Sequence, residues 1–156
     1  LEGSSYKDSE IYLILGKSYA LIKDDKKADK YFDLALSYYP SSGRYIHEIA
    51  GHYANRENYD KAMLVIRTFD PYIEKHKGPH NPRGVFVYKI RDLEADVLYK
   101  SGNRMQAFKI AHQNCQDAKN STYVTNSSRI LTFITREQYM EYLEQKELLY
   151  SSGLKP

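Results

Sequence analysis

Residues 12–40 read YLILGKSYALIKDDKKADKYFDLALSYYP, and several of these positions recur further along the chain. Three pairs of small or aromatic residues are each separated by 34 positions. The pairs are Gly16 and Ala50, Tyr19 and Tyr53, and Ala28 and Ala62. One spacing at three separate places predicts an internal repeat rather than a coincidence of composition.

A third copy follows at a longer spacing. Ala95 lies 45 positions after Ala50, and Ala107 lies 45 positions after Ala62. The additional residues coincide with the stretch HKGPHNPRG at 76–84, which contains two prolines and two glycines. Because repeat arrays accept insertions in their loops, we expect residues 77–84 to form an insertion loop.

Apolar residues recur at helical spacing through most of the chain, which predicts an all-α fold. The first helix is expected from Ser9 to about Ile22, and Gly102 suits a left-handed residue at a helix end. Side chains able to cap the next three helices precede each of them: Asp24 or Asp25, Ser41 or Ser42, and Asn58. For the last helix we favour one long element from Ser127 to Tyr150 over a new start at Thr135.

The repeated residues resemble those of the tetratricopeptide repeat (TPR) family. The matching positions are Tyr12, Leu15, Gly16, Tyr19, Ala28, Phe32, Ala35 and Pro40 in the first copy; Ile46, Ile49, Ala50, Tyr53, Tyr59, Ala62 and Ile66 in the second; and Ala95, Leu98, Gly102, Ala107 and Ala111 in the third. The third copy departs at Arg91 and Glu94, where apolar residues are expected. Since Ile90 and Leu93 lie one position earlier, its register is open to a shift of one residue.

The resemblance implies an α-solenoid of about three helix-turn-helix repeats with a C-terminal capping helix. Small residues let the helices of a pair approach, and large residues fill the space between pairs. The expected division is a disordered or tag-like terminus at 1–8, repeats at 9–42, 43–76 and 85–121 around the insertion loop, and a capping or connector helix at 122–156.

The resemblance further implies a groove that binds a protein or peptide segment. The family's groove positions fall on Leu13, Lys17 and Ala20 in the first repeat, on His47, Gly51, Ala54 and Asn55 in the second, and on Asp92, Asp96 and Tyr99 in the third. Asp92 and Asp96 predict a basic ligand segment. Only Lys17 matches the subset of the family that grips a C-terminal carboxylate. The alternative is that the last helix fills the groove.

The stretch HEIAGH at 47–52 raises the alternative of a metal-dependent hydrolase using His47 and Glu48. Zinc proteases space their histidines four positions apart on one helix face, with the glutamate as general base. His47 and His52 are five apart and point about 140° away from each other on a regular helix. His76 and His80 in the stretch HKGPHNPRG have no third ligand nearby in the sequence. We therefore predict no enzyme, no metal and no cofactor.

Composition and charge argue against two further classes of protein, those that bind nucleic acid and those that contact a membrane. The chain has 156 residues, 42% of them hydrophobic, and a net charge of +3. The charge is too small to predict nucleic-acid binding, and no apolar run is long enough to predict membrane contact. Because the chain starts without Met, we expect a piece of something longer. The long last helix resembles, weakly, the connector of bacterial regulators with a repeat sensor; a free-standing adaptor is the competing interpretation. The compartment and the oligomeric state stay open.

Overall fold

The structure is a computed structural model that describes residues 2–76, 84–118 and 121–153. Within these ranges all regular secondary structure is helical, which confirms the predicted all-α fold. The helices are α1 (Glu2–Leu21), α2 (Asp25–Tyr38), α3 (Gly43–Asn55), α4 (Tyr59–Arg67), α5 (Ile73–His76), α6 (Val85–Lys100), α7 (Arg104–Asp117) and α8 (Thr125–Ser151). Short 3-10 turns at Asp70–Tyr72 and Ser121–Tyr123 precede α5 and α8.

Side-chain caps start three helices where the sequence predicts them. The side chain of Asp24 accepts a hydrogen bond from the backbone N–H of Lys27, and that of Ser42 accepts one from Tyr45. The side chain of Asn58 accepts from Lys61 at the start of α4. Each cap satisfies an amide that the first turn of a helix leaves unbonded, so these residues fix where α2, α3 and α4 begin.

Three turns along the chain share one backbone conformation. Lys23, Glu57 and Gly102 have φ angles of 60°, 58° and 90°, and they are separated by 34 and then 45 positions. The next residue in each turn, which precedes α2, α4 or α7, has φ between −87° and −85°. Its N–H bonds to the carbonyl of the residue five positions back, at 2.9–3.0 Å. The same turn conformation therefore recurs along the chain at the intervals of 34 and 45 residues that the sequence shows.

Consecutive helices pack as pairs, α1 with α2, α3 with α4 and α6 with α7. Small residues bring the helices of a pair together: a Cβ atom at Gly16 would lie 2.5 Å from Cδ1 of Phe32. Ala28, Ala62 and Ala107, which are equivalent in the three sequence repeats, are all completely buried. One apolar cluster joins helices α1, α2, α3 and α4 with one side of α6, and a second joins α6, α7 and α8.

The third repeat keeps its register and buries a charge. Ala95 is completely buried, as Ala50 is, and so is Glu94, which stands where Ile49 stands in the second repeat. The carboxylate of Glu94 lies between the guanidinium groups of Arg67 and Arg91. The register that the sequence left open is therefore unshifted, and the two arginines pair with the buried carboxylate in place.

At the two ends of the chain, one prediction is corrected and one is confirmed. Residues 2–8 are helical, which corrects the expectation of a disordered terminus; the ring of Tyr6 packs edge-on to Tyr39 at 6.1 Å. The last helix is a single element of 27 residues, so the long-helix prediction is confirmed. Residues 77–83 of the predicted insertion loop, including His80, lie outside the described residues, as does the side chain of His76.

Candidate partner-binding surface

The predicted groove positions of the first repeat have three different surroundings. Leu13 is only 1% exposed and belongs to the core, so its prediction as a groove residue is wrong. Lys17 is half-exposed, and its ammonium group lies 2.9 Å from Oε2 of Glu48 on α3. Ala20 is half-buried against the core cluster. Lys17 and Ala20 therefore remain accessible on this face of α1.

The second repeat leaves the most open part of the predicted face. Apart from its neighbours in the chain and the backbone of its own helix, no heavy atom lies within 4 Å of the position that a Cβ atom would take at Gly51. Asn55, one turn further along α3, is exposed, and Ala54 beside it is 7% exposed. Gly51 therefore faces free space in the middle of α3, with the Asn55 amide one helical turn away.

Four charged side chains link α1 to α3 beside this open region; we call Glu10, Lys17, Arg44 and Glu48 the charge ladder. Arg44 donates two hydrogen bonds to the carboxylate of Glu10, at 2.8 and 3.2 Å, and a third from Nε to Glu48 at 3.0 Å. Lys17 donates to the second oxygen of Glu48 at 2.9 Å. The cations of the ladder are therefore paired, and they lack the free positive charge needed to grip a carboxylate.

The ladder perturbs the acidity of its members. Hydrogen bonds from Arg44 and then from the Tyr45 hydroxyl hold the pKa of Glu10 below its ordinary value. Burial acts to raise the pKa of Glu48, but the bonds from Lys17 and Arg44 outweigh it and the pKa is lowered. Burial, with Glu10 nearby, raises the pKa of Tyr45 to about 12. We did not predict this ladder, although Glu10 and Arg44 are 34 positions apart and so stand at the same point of adjacent repeats.

Asp92 of the third repeat caps a helix rather than lining an open groove. Its Oδ1 accepts from the backbone N–H of Ser127 at 2.7 Å, and its Oδ2 accepts from that of Asn126 at 3.2 Å. Both amides belong to the first turn of α8, where the N-cap residue Val124 offers no capping side chain. Asp92 is only 7% exposed, and with both carboxylate oxygens bonded to α8 it is unavailable to a ligand.

Asp96 and Tyr99 also contact α8. Asp96 pairs with Lys100 at 2.7 Å and with Arg129 at 3.3 Å. The Tyr99 hydroxyl donates to Glu137 at 3.2 Å, and its ring lies 6.3 Å from that of Phe133. The last helix thus covers the third-repeat positions, and the reason for expecting a basic ligand is removed because both aspartates already have partners.

The histidine pair of HEIAGH is divided between two environments. Burial first, and then the charge of Lys89, lowers the pKa of His47. His52 packs its ring 5.3 Å from that of Phe32, while Glu48 between them is held by Lys17 and Arg44. Among the side chains that the structure describes, no group of three or more His, Cys, Asp or Glu residues is placed to hold a metal ion.

An aromatic cleft of about 200 Å³ lies beside the ladder, where α1, the start of α3 and the start of α6 meet. It is lined by Tyr6, Tyr39, Tyr45, Phe69 and Phe86, together with Arg44. The volume and the lining suit a single apolar side chain. No sequence motif marks this cleft, because its residues come from separate segments of the chain.

Within the described residues, no helix combines the length and the apolar character needed to cross a membrane. Comparison of the chain with protein-family models, with curated proteins and with solved structures found no match.

Proposed function

We propose that this chain is a TPR-type α-solenoid that binds a protein or peptide segment. Two observations support it: three consecutive helix pairs have a left-handed residue and the same backbone hydrogen bond in their turns, at the repeat spacing, and a small buried residue stands at the same point of each pair. Such pairs cannot bury their apolar faces alone, and stacking them creates an extended surface suited to another chain.

The proposed binding face lies on the first two repeats. It comprises Lys17, Ala20, His47, Gly51 and Asn55. The open space above Gly51 carries the proposal, because a glycine inside a helix costs about 1 kcal/mol relative to alanine and no packing contact at this position offsets that cost. Backbone exposed at a glycine admits a close approach by an extended segment, and the amide of Asn55 can both donate to and accept from its peptide groups.

The ligand segment is proposed to be polar and close to neutral. Asp92 and Asp96 are engaged by α8, and the charge ladder is internally paired. Binding of this kind depends on hydrogen bonds and fit rather than on a strong charge. We further propose that the chain is the docking part of a larger bacterial regulator; the 27-residue length of α8, suited to a connector, supports this role.

The proposal is tested by substitutions that place a side chain in the open space at Gly51 and leave the core unchanged. Peptides selected from a random displayed library on the wild-type chain are tested against Gly51→Arg and Gly51→Ala. The alanine variant should melt slightly higher, because it adds helix propensity, and should bind more weakly than wild type, because its methyl group occupies part of the space above the backbone. The arginine variant should lose at least about tenfold in affinity, or 1.4 kcal/mol. Peptides that bind all three proteins equally would refute the proposed face.

A further inference from the structure

The rings that line the aromatic cleft are held in place by contacts within the fold. Tyr45 and Phe69, each 1% exposed, form its inner wall. The ring of Tyr39 packs edge-on to those of Tyr6 and Tyr45, with centroids 6.1 and 5.9 Å apart. The Tyr45 hydroxyl donates to the carboxylate of Glu10 at 2.7 Å. The cleft therefore has its shape before any ligand binds, which lowers the cost of binding.

Gly43 lets two further rings reach the cleft. A Cβ atom at this position would lie 2.7 Å from Cβ of Phe86 and 3.2 Å from Cζ of Phe69. Any side chain at Gly43 would therefore push the start of α3 away from these two residues. Because it is a glycine, Phe86 of α6 and Phe69 line the cleft directly beside the first turn of α3.

Polar groups line the cleft beside the rings. They are the hydroxyl groups of Ser41 and Ser42 and the guanidinium group of Arg44. Three of the five N–H groups of Arg44 donate to Glu10 and Glu48, and the other two meet no acceptor among the described residues. The cleft therefore suits a group with an apolar body and a hydrogen-bonding atom at its edge, as in a phenol or an indole.

The size of the cleft limits the ligand to one ring system. Its volume is about 200 Å³, and an apolar cavity of about 150 Å³ holds a benzene molecule. Phenol and indole are somewhat larger than benzene and so match this volume. Sites for free small molecules usually enclose about 300–1,000 Å³, which is more than this cleft offers. The cleft therefore suits one side chain whose main chain stays outside.

We propose that the aromatic cleft binds the ring of a tryptophan or tyrosine residue in the bound segment. This inference rests on the proposed peptide binding and adds an anchoring residue to it. One face of α3 carries, at spacings of four, three and four residues, Arg44, Glu48, Gly51 and Asn55. The cleft lies at the N-terminal end of that face, about 12 Å from Gly51 at 1.5 Å per residue. An extended segment covers this distance in about three or four residues.

The first test uses the ring alone. The chain contains no tryptophan, so indole fluorescence reports the binding of N-acetyl-tryptophanamide directly. Wild type should bind one equivalent with millimolar affinity, and N-acetyl-leucinamide at the same concentrations should not displace it. A wild type that shows no saturable binding overturns the inference.

Two variants place the ring in the cleft. Ser41→Phe fills the cleft and should weaken binding of N-acetyl-tryptophanamide at least tenfold, and Tyr6→Ala removes one wall and should weaken it about threefold to tenfold. The matched controls Ser18→Phe and Tyr150→Ala, at exposed residues of α1 and α8, should bind as wild type does. Because Tyr6 is 51% exposed, its variant keeps the test available if Ser41→Phe fails to fold. Equal binding by wild type and Tyr6→Ala overturns the inference.

Peptides selected on the wild-type chain separate this inference from the proposed function. Replacing their aromatic residue by alanine should cost at least about tenfold in affinity for wild type and little in affinity for Ser41→Phe, from which the ring is already excluded. Equal losses on the two proteins overturn the inference, and weaker binding to Gly51→Arg would then still support the proposed function. Peptides weakened by Ser41→Phe but not by Gly51→Arg would support the cleft and refute the proposed face.

Discussion

Removing the carboxylate of Asp92 tests whether α6 holds the start of α8. Asp92→Ala deletes two acceptors, at 2.7 and 3.2 Å, from amides of the first turn of α8, and Ser127 is completely buried. Loss of a cap costs about 1 kcal/mol, and a buried amide left unbonded costs about 1–3 kcal/mol. With part of the second amide rehydrated, we expect a loss of about 2–3 kcal/mol, which lowers Tm by roughly 4–12 °C at this chain length.

The assay is urea denaturation followed by circular dichroism, with hydrogen exchange at the amides of 126–131. Asp92→Asn keeps one acceptor oxygen but removes the negative charge, so its free energy of unfolding should be lower than that of wild type by about 1 kcal/mol. Asp33→Ala, at an exposed residue of α2, is the matched control and should leave stability unchanged. An alanine variant within about 0.5 kcal/mol of wild type, with unchanged exchange, would refute the capping role.

Three further predictions concern packing, buried charge and pH. Ala28→Phe should overpack the contact between α1 and α2 and cost about 1–3 kcal/mol in thermal or urea unfolding; an unchanged Tm would contradict the close approach of these helices. Glu94→Ala should cost about 3 kcal/mol, and Glu94→Leu should recover much of that, since Ile49 occupies the equivalent buried position; equal stabilities for the two variants would argue against this environment. The folded-state pKa of His47 lies below its ordinary value of 6.5, so the unfolded chain binds more protons and stability should fall as pH drops below about 6.5. Between pH 7.5 and 5.5, the free energy of unfolding of His47→Gln, measured in urea, should fall less than that of wild type. Part of the fall should persist, because the pKa of His52 is lowered as well. An equal fall in both proteins would mean that His47 is solvated.

The repeated small residues were the most reliable guide to the fold. Ala28, Ala62 and Ala107 are completely buried because a helix pair of this kind leaves room at that point for a methyl group and little more. Gly16 obeys the same restriction against Phe32. Steric limits of this kind act locally within one pair, so a spacing in the sequence is enough to locate them.

The groove face was harder to predict because its exposure depends on distant elements. Leu13 and Asp92 occupy equivalent positions, and both are buried, the first in the core and the second under α8. A repeat pattern gives the direction of a side chain but does not say which later helix covers it. The sequence carried no warning, because Thr125, Asn126 and Ser127 can all cap a helix, and only the structure places Val124 at the cap.

The ion pairs were missed for a similar reason. Glu10 and Arg44 attract each other only because stacking brings two equivalent positions side by side, which an inspection of single helices does not reveal. Glu94 was recognised as a departure from the pattern, but its partner Arg67 is 27 positions away on another helix. Pairs of this kind become visible in the sequence when opposite charges are compared between equivalent positions of neighbouring repeats.

The shared turn has a consequence for how this molecule can diversify. Lys23 and Glu57 adopt the left-handed conformation, which glycine takes without cost, and they stand where the third turn has Gly102. Two different side chains thus tolerate one geometry, which means that the joined helices impose the shape of the joint. The three turns therefore keep the same hydrogen bond with different residues at the left-handed position. Substitutions on the exposed faces of the helices can then leave these turns, and with them the pairing of the helices, unchanged.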